Sequence, residues 1–253
     1  MILLLGGTSE SVSLASQLAE QGYPVLVSTA TDVPLDFENH PLISRRQGGL
    51  DEGELTRLIR SQGIRAVVDA THPYAQQIKT LAQKTAEELA TPYFLWDRPP
   101  VVPTDQGFLF AKDHEQAASL AFSIDRPVLL TTGSRNLEPY VRKSAQTKTP
   151  LWVRVLSHPG SVEACRQAGI EEDHILFGRG PYSVEDNKEA IKKYSIGVLV
   201  TKDSGLPGGV LNKLEAARQE HCQVVVIERP EVFSGKRFRR MEDLLVELKQ
   251  AFS

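Results

Sequence analysis

Short apolar runs recur along the chain, at Ile2 to Leu5, Pro24 to Ser28, Ala66 to Ala70, Tyr93 to Trp96, Val128 to Thr132, Leu151 to Leu156, Ile196 to Thr201 and Val224 to Glu228. Amphipathic stretches separate most of them, notably Val12 to Ala19, Glu52 to Ser61, Ala75 to Ala90, Ser161 to Ala168, Val184 to Tyr194 and Leu211 to Glu220. A strand that is apolar on both faces must be covered by helices on both sides. The alternation therefore predicts an α/β fold with mainly parallel sheets and right-handed crossovers.

The 253 residues suffice for two such domains, each with its own core. Arg98-Pro99-Pro100-Val101-Val102-Pro103 interrupts the rhythm, because proline disfavours both helix and central strand. Beyond it Val128-Leu129-Leu130-Thr131-Thr132-Gly133-Ser134 repeats the opening theme Leu3-Leu4-Leu5-Gly6-Gly7-Thr8-Ser9. The pattern predicts two Rossmann-like domains, residues 1–112 and 113–253, with the boundary inside 98–127 and a ligand cleft between them.

Composition narrows the function. With 41% hydrophobic and 24% charged residues the chain is an ordinary globular one, and a net charge of −3 supplies no field for nucleic acid. Cys165 and Cys222 form neither a C-x-x-C pair nor a disulfide framework, and the six histidines show no metal-ligand spacing, so no protein-bound metal is expected. No apolar stretch approaches the roughly 20 residues that span a bilayer. A cytoplasmic protein is expected, with no membrane partner, as a monomer or weak homodimer.

The polar residues collect where ligands of such sheets bind, after the carboxyl ends of the strands. Gly6-Gly7-Thr8 follows the first strand as part of a dinucleotide fingerprint. Two glycines permit a sharp turn close to a pyrophosphate, while Ser9, Glu10 and Ser11 stand where a third glycine is usual. After the second strand, Ser28-Thr29-Ala30-Thr31 offers hydroxyls suited to a 2′-phosphate, with Arg45 and Arg46 as cationic helpers. This favours NADPH over NADH, and Asp32 argues the other way.

Asp69-Ala70-Thr71-His72-Pro73-Tyr74 closes another strand. Asp69 or Thr71 would cap the next helix, and His72 is a candidate proton donor. Thr201-Lys202-Asp203-Ser204-Gly205 combines a lysine, hydroxyls and glycine, a set able to hold a phosphate or carboxylate. Arg98, Arg135, Arg154, Lys202, Lys213 and Arg229 fall near loop ends and together suit a polycarboxylate.

Taken together, Gly6-Gly7-Thr8-x-Glu10, Asp69-Ala70-Thr71-His72-Pro73-Tyr74-Ala75, Arg98-Pro99, Thr132-Gly133 and Thr201-Lys202-Asp203-Ser204-Gly205, with Gly208-Gly209 and Lys213, resemble the precorrin-6A reductase family of cobalamin biosynthesis. The resemblance extends to about Arg229-Pro230. It implies reduction of one double bond of a ring-contracted tetrapyrrole by a reduced nicotinamide nucleotide, with hydride delivered to C19 and a proton to C18. Any cobalt would arrive inside the substrate.

By the same resemblance, Gly6, Gly7, Thr8 and Glu10 form the nucleotide turn and Ser28 and Thr29 lie near the adenosine ribose. Thr132, Gly133, Lys202, Ser204 and Gly205 contact cofactor or substrate from the second half. From their charge and their place at loop ends, not from the resemblance, Arg98, Arg135, Arg154, Lys213 and Arg229 are expected at the substrate. His72, Tyr74 and Asp203 are the candidate proton donors. Two alternatives stand beside this reading: a short-chain dehydrogenase, which would need a Tyr-x-x-x-Lys pair that none of the six tyrosines makes, and a non-catalytic NADPH sensor.

Overall fold

The computed structural model describes residues 1–30, 40–230 and 235–252. In chain order its regular elements are β1 (Ile2–Leu5), α1 (Ser9–Glu20), β2 (Val25–Thr29), β3 (Ile43–Gln47), α2 (Glu52–Ser61), β4 (Ala66–Asp69), α3 (Gln76–Glu88), β5 (Tyr93–Trp96), β6 (Leu109–Ala111), α4 (His114–Phe122) and β7 (Val128–Leu130). They continue with α5 (Glu138–Thr147), β8 (Leu151–Val155), α6 (Pro159–Gln167), β9 (Ile175–Phe177), α7 (Val184–Lys193), β10 (Val198–Lys202), α8 (Val210–Gln219), β11 (Gln223–Ile227), β12 (Lys236–Phe238) and α9 (Met241–Ala251).

The strands form two six-stranded sheets, ordered β12-β5-β4-β1-β2-β3 and β6-β11-β10-β7-β8-β9. Every neighbouring pair is parallel. The α/β expectation holds, and β1 and β7, the two strands that open the repeated theme, occupy the same central place in their sheets.

The first sheet shows why its strands read as continuous apolar runs. Side chains alternate between faces along a strand. Ile2 and Leu4 pack with Leu14 and Leu18 of α1 and Leu244 and Leu248 of α9. Leu3 and Leu5 pack on the opposite face with Leu55 and Ile59 of α2 and Ala82 and Ala86 of α3. Both faces of β1 are buried, so this strand carries no polar residue. In the second sheet Leu129, Leu199, Val224 and Val226 join Ile191 of α7 and Val210 and Leu214 of α8 in the same way.

The division of the chain differs from the expected one. One compact unit comprises Met1–Pro99 with Pro230–Ser253, and the other is Pro100–Arg229. Residues 113–253 are therefore not one domain: Pro100 to Lys112 open the second unit, and β12 with α9 return to the first. Each sheet has the order 3-2-1-4-5-6 of a dinucleotide fold in its first five places, but the sixth strands are exchanged. β6, which follows β5 in sequence, borders β11, while β12, which follows β11, borders β5.

The reason lies at the sheet edge. Strand β5 needs a neighbour for its ladder, and β12 supplies it with Phe238 set edge-to-face on Phe94, ring centroids 5.6 Å apart. The sequence Lys236-Arg237-Phe238 carries too little apolar character to announce this. The strands absent from the sequence reading are β3, β6, β9 and β12, the four sheet edges.

Leu244 is fully buried against the first sheet although it lies near the end of the chain. Leu244→Ala should destabilise the protein by about 2–5 kcal/mol, the usual cost of truncating a buried leucine, measured as a lower urea midpoint. Hydrogen exchange should quicken in β1 and β5 before β10. Equal quickening in β10 would show that the core of residues 100–229 also depends on this helix.

Candidate functional site

In the first unit the Gly-Gly-Thr turn joins β1 to α1. Gly7 has φ +108°, a backbone state that disfavours side chains, and no atom lies within 4 Å of where its Cβ would stand. Gly6 is the opposite case. A Cβ there would lie 2.9 Å from Ser11 Oγ and 3.4 Å from Val27. Ser11 stands at the place of the third fingerprint glycine and is fully buried. Its hydroxyl donates to the Thr8 carbonyl at 2.6 Å and accepts from Gly7 N–H at 3.3 Å. The small residue is thus placed on the other partner of a close contact, and the turn keeps its shape with serine at 11 because 6 is glycine. Thr8 Oγ1 donates to the Ala70 carbonyl at 3.3 Å, fastening the turn to the end of β4.

Glu10 lies in the first turn of α1, where its carboxylate would repel a phosphate at the helix terminus. The buried Arg98 guanidinium pairs with it and removes that repulsion. Arg98, expected from sequence to bind substrate, and Glu10, expected to bind cofactor, are therefore partners of one another.

At the carboxyl end of β2, Ser28 and Thr29 are buried. Ser28 Oγ accepts from Arg46 Nη1 at 2.8 Å, and the same guanidinium donates to the Gly48 and Gly49 carbonyls at 3.1 and 3.2 Å. Thr29 Oγ1 has no hydrogen-bond partner among the described residues. Thr31 and Asp32 lie outside those residues.

Asp69 ends β4 fully buried, and instead of capping α3 it shapes the loop that bears His72. Its Oδ1 accepts from Thr71 N–H at 2.8 Å, Thr71 Oγ1 at 2.6 Å and Lys79 Nζ at 3.2 Å, and Oδ2 accepts from Tyr93. Burial, then the Asp69 charge, raises the Tyr93 pKa, so the phenol remains protonated and donates. Beyond this knot His72 Nδ1 accepts from Tyr74 N–H at 3.3 Å, and the two rings lie 5.5 Å apart.

The second unit repeats the device. Asp203 follows β10 as Asp69 ends β4, each in the fourth place of its sheet, and each accepts from the N–H two residues on and from a cation. Asp203 Oδ1 takes Gly205 N–H at 3.1 Å and Arg229 Nη2 at 3.1 Å, while Oδ2 takes the N–H groups of Val101 and Val102 at 2.9 and 3.1 Å. Arg229 Nε also donates to the Asp203 carbonyl at 2.9 Å. Both oxygens being engaged, Asp203, expected from sequence as a candidate proton donor, clamps this loop, and Arg229, expected to bind substrate, is its partner.

Gly133, with φ +85°, ends the β7 turn as Gly7 ends the β1 turn. The hydroxyls of Thr132 and Thr201 are buried without hydrogen-bond partners among the described residues. Burial, then Arg135, pushes the Lys202 amine down to about 8. Burial, then Lys202, pushes His114 down to about 4, so its ring is neutral at physiological pH. Its Nδ1 lies 3.0 Å from the Tyr140 hydroxyl.

Arg154 and Lys213 also belong to this unit, on β8 and in the first turn of α8, and neither has a carboxylate partner within ion-pair distance among the described residues. The structure adds Ser11, Tyr93, Tyr182 and Asn187 to the residues that sequence singled out. Tyr93 becomes visible once the β4–β5 register places it opposite Val67, on the face that Asp69 shares.

The contact at the first turn is testable in isolation. Gly6→Ala should cost about 1–3 kcal/mol in urea unfolding, as overpacking does. Adding Ser11→Gly should recover part of that loss through a coupling of about 0.5–3 kcal/mol. Strictly additive losses would show that the two residues do not compete for the same space.

Among the described residues no helix is long and apolar enough to cross a membrane. A profile of the family described as Precorrin-6x reductase CbiJ/CobK matches residues 1–249. A cobalt-precorrin-6A reductase of Priestia megaterium is 31% identical over 246 residues, covering 97% of this chain and 96% of that protein. A precorrin-6A reductase of Mycobacterium tuberculosis is 33% identical over 238 residues, covering 92% of this chain and 91% of its own length. The solved structure named CobK precorrin-6A reductase superposes with a TM-score of 0.77 at 24% identity, over 99% of this chain and 96% of that one, so the fold is shared along the whole length. The chain belongs to the precorrin-6x reductase CbiJ/CobK family.

Proposed function

We propose that this protein uses NADPH to reduce one double bond of precorrin-6A or cobalt-precorrin-6A in cobalamin biosynthesis, adding hydride at C19 and a proton at C18. The observation that carries the nucleotide assignment is the open turn at Gly7 at the head of the twelve-residue helix α1, with the Thr29 hydroxyl, unpartnered among the described residues, at the end of the adjoining strand. Both features suit a dinucleotide: the turn leaves room for a pyrophosphate against helix N–H groups, and the hydroxyl has an unused donor for the ribose. Arg46, held at the end of β3 on Ser28, supplies the cation that a 2′-phosphate requires. NADPH bound there supplies the hydride.

The remaining work falls to side chains. Thr132, Gly133, Lys202, Ser204 and Gly205 contact cofactor or substrate at the loop ends of the second unit, and Arg135 adds positive charge beside Lys202. The carboxylates that fringe a tetrapyrrole match this concentration of cations. His72 is the proton donor of choice. Because its Nδ1 accepts a backbone N–H, the neutral ring carries its proton on Nε2. Tyr74 is the second candidate, and the Asp69 knot holds both in place. The shape of the reaction asks little else of the protein: orientation of the two reactants and exclusion of water. Cys165 and Cys222, both buried free thiols, suit a reducing cytoplasm.

The deciding experiment is anaerobic loss of reduced-nicotinamide absorbance with precorrin-6A and with cobalt-precorrin-6A, NADPH and NADH being run in parallel. Oxidation matched by tetrapyrrole reduction is expected; tight NADPH binding without turnover on either substrate would mark a sensor. Arg46→Ala should weaken NADPH binding by roughly tenfold or more while leaving NADH binding unchanged, by calorimetry, since a charge-assisted bond to phosphate is lost. Equal losses for both nucleotides would remove the 2′-phosphate from Arg46. His72→Gln should lower kcat by at least about a hundredfold with unchanged NADPH affinity, the scale of a lost general acid. Wild-type kcat in that variant would move the role to Tyr74.

A further inference from the structure

Among the described residues three cations with little side-chain exposure each meet a carboxylate: Lys79 meets Asp69, Arg98 meets Glu10 and Arg229 meets Asp203. Arg154, only 8% exposed, meets none among the described residues. Its Nη1 donates to the amide oxygen of Asn187 at 2.6 Å, and its guanidinium lies over the Tyr182 ring, 4.3 Å from the centroid. Both partners are neutral. Asp186, whose charge reaches Arg154, is already engaged, its Oδ2 accepting from Ser183 N–H at 2.9 Å and Ser183 Oγ at 2.7 Å.

A second cation stands beside the first. Lys213, partly buried, makes no ion pair among the described residues, and burial followed by the charge of Arg154 pushes its amine down to about 8. The two are held together by design of the backbone around them. Asn212 Nδ2 donates to the Tyr182 carbonyl at 2.9 Å, and Gly209 lies so near Pro181 that a Cβ would come within 2.9 Å of it. These contacts tie the start of α8 to the loop that carries the Tyr182 ring. Two desolvated cations without a counter-ion oppose folding, and a bound anion offsets that cost.

We infer that Arg154 and Lys213 form a two-cation site for one carboxylate of the tetrapyrrole, with Tyr182 and Asn187 as positioning residues that hold the Arg154 fork. The identity of the ligand rests on the function proposed above; the oxyanion chemistry does not, and a nucleotide phosphate is the other source of it. Arg154 offers a planar fork to two oxygens, and Lys213 a point charge to one of them. The ring of Tyr182 holds the guanidinium without neutralising it, which a carboxylate in its place would do.

The test uses the full chain and two probes, uroporphyrin, a macrocycle fringed with carboxylates, and NADPH. Lys213→Gln and Arg154→Gln should each weaken uroporphyrin binding, followed by fluorescence, by roughly tenfold or more, and leave the NADPH dissociation constant unchanged. With precorrin-6A the same variants should raise KM with little change in kcat. Tyr182→Leu should do likewise, and Tyr182→Phe, which retains the ring under Arg154, should restore wild-type affinity.

A loss of NADPH affinity with uroporphyrin binding intact would assign the site to a nucleotide phosphate and overturn the inference, and so would unchanged binding of both. In the wild-type chain, NMR titration of the Lys213 side chain should show its pKa rising when uroporphyrin binds; no rise would overturn the inference independently of how the variants fold. If uroporphyrin binding depends on Lys213 while no precorrin supports NADPH oxidation, the site stands and the reductase reading fails.

Discussion

Parallel pairing is the constraint from which the rest of this structure descends. Strands that run the same way deliver all their carboxyl ends to one edge of the sheet, and each must there hand over to a loop and a returning helix. The apolar runs have no choice about where their polar sequels go. Gly6 to Glu10, Ser28 and Thr29, Asp69 to Tyr74, and Arg98 gather at one edge of the first sheet. Thr131 to Arg135, Arg154 and Lys202 to Gly205 gather at the corresponding edge of the second. Within each unit, chemistry that looks scattered along the sequence is concentrated at one sheet edge by topology alone.

Such an edge is crowded with charge, and the protein settles most of it internally. Asp69 and Asp203 close the equivalent strands β4 and β10, and each turns its carboxylate back on the following loop while taking a cation. A buried carboxylate that accepts this many hydrogen bonds has its polar atoms satisfied and is rigid as a joint. The loops that carry His72 and Ser204 are therefore positioned by these two aspartates. Glu10 and Arg98 settle a third charge in the same manner.

Much of this was legible in the sequence, and what was not has a common physical cause. The central strands declared themselves because both faces are buried, and the repeated theme at Leu3 and Val128 correctly marked equivalent strands. The edge strands β3, β6, β9 and β12 did not, because a strand with one neighbour and one solvated side has no need of a continuous apolar run. The same limit applied to side chains. Asp69 looked like a cap, and the clamp at Asp203 had no sign in the sequence, because their partners, Tyr93 at 24 positions' distance and Val101 at 102, are brought near only by sheet register and chain crossing. Ser11 looked like a missing glycine, whereas the space it needs is provided at Gly6. Pairings between distant residues have no local signature; turns and buried strands do.

The exchange of the sixth strands also orders events in time. A chain emerging from the ribosome usually completes its amino-terminal unit first. Here residues 100–229 can close their sheet as soon as β11 has been made, because its neighbour β6 already precedes it. The unit begun at Met1 must wait, its β5 edge unpaired and the sheet face later covered by Leu244 and Leu248 open, until β12 and α9 have been synthesised. The unit that opens with β1 is thus closed only after the one it encloses in sequence, and in the interval its β5 edge has no partner strand.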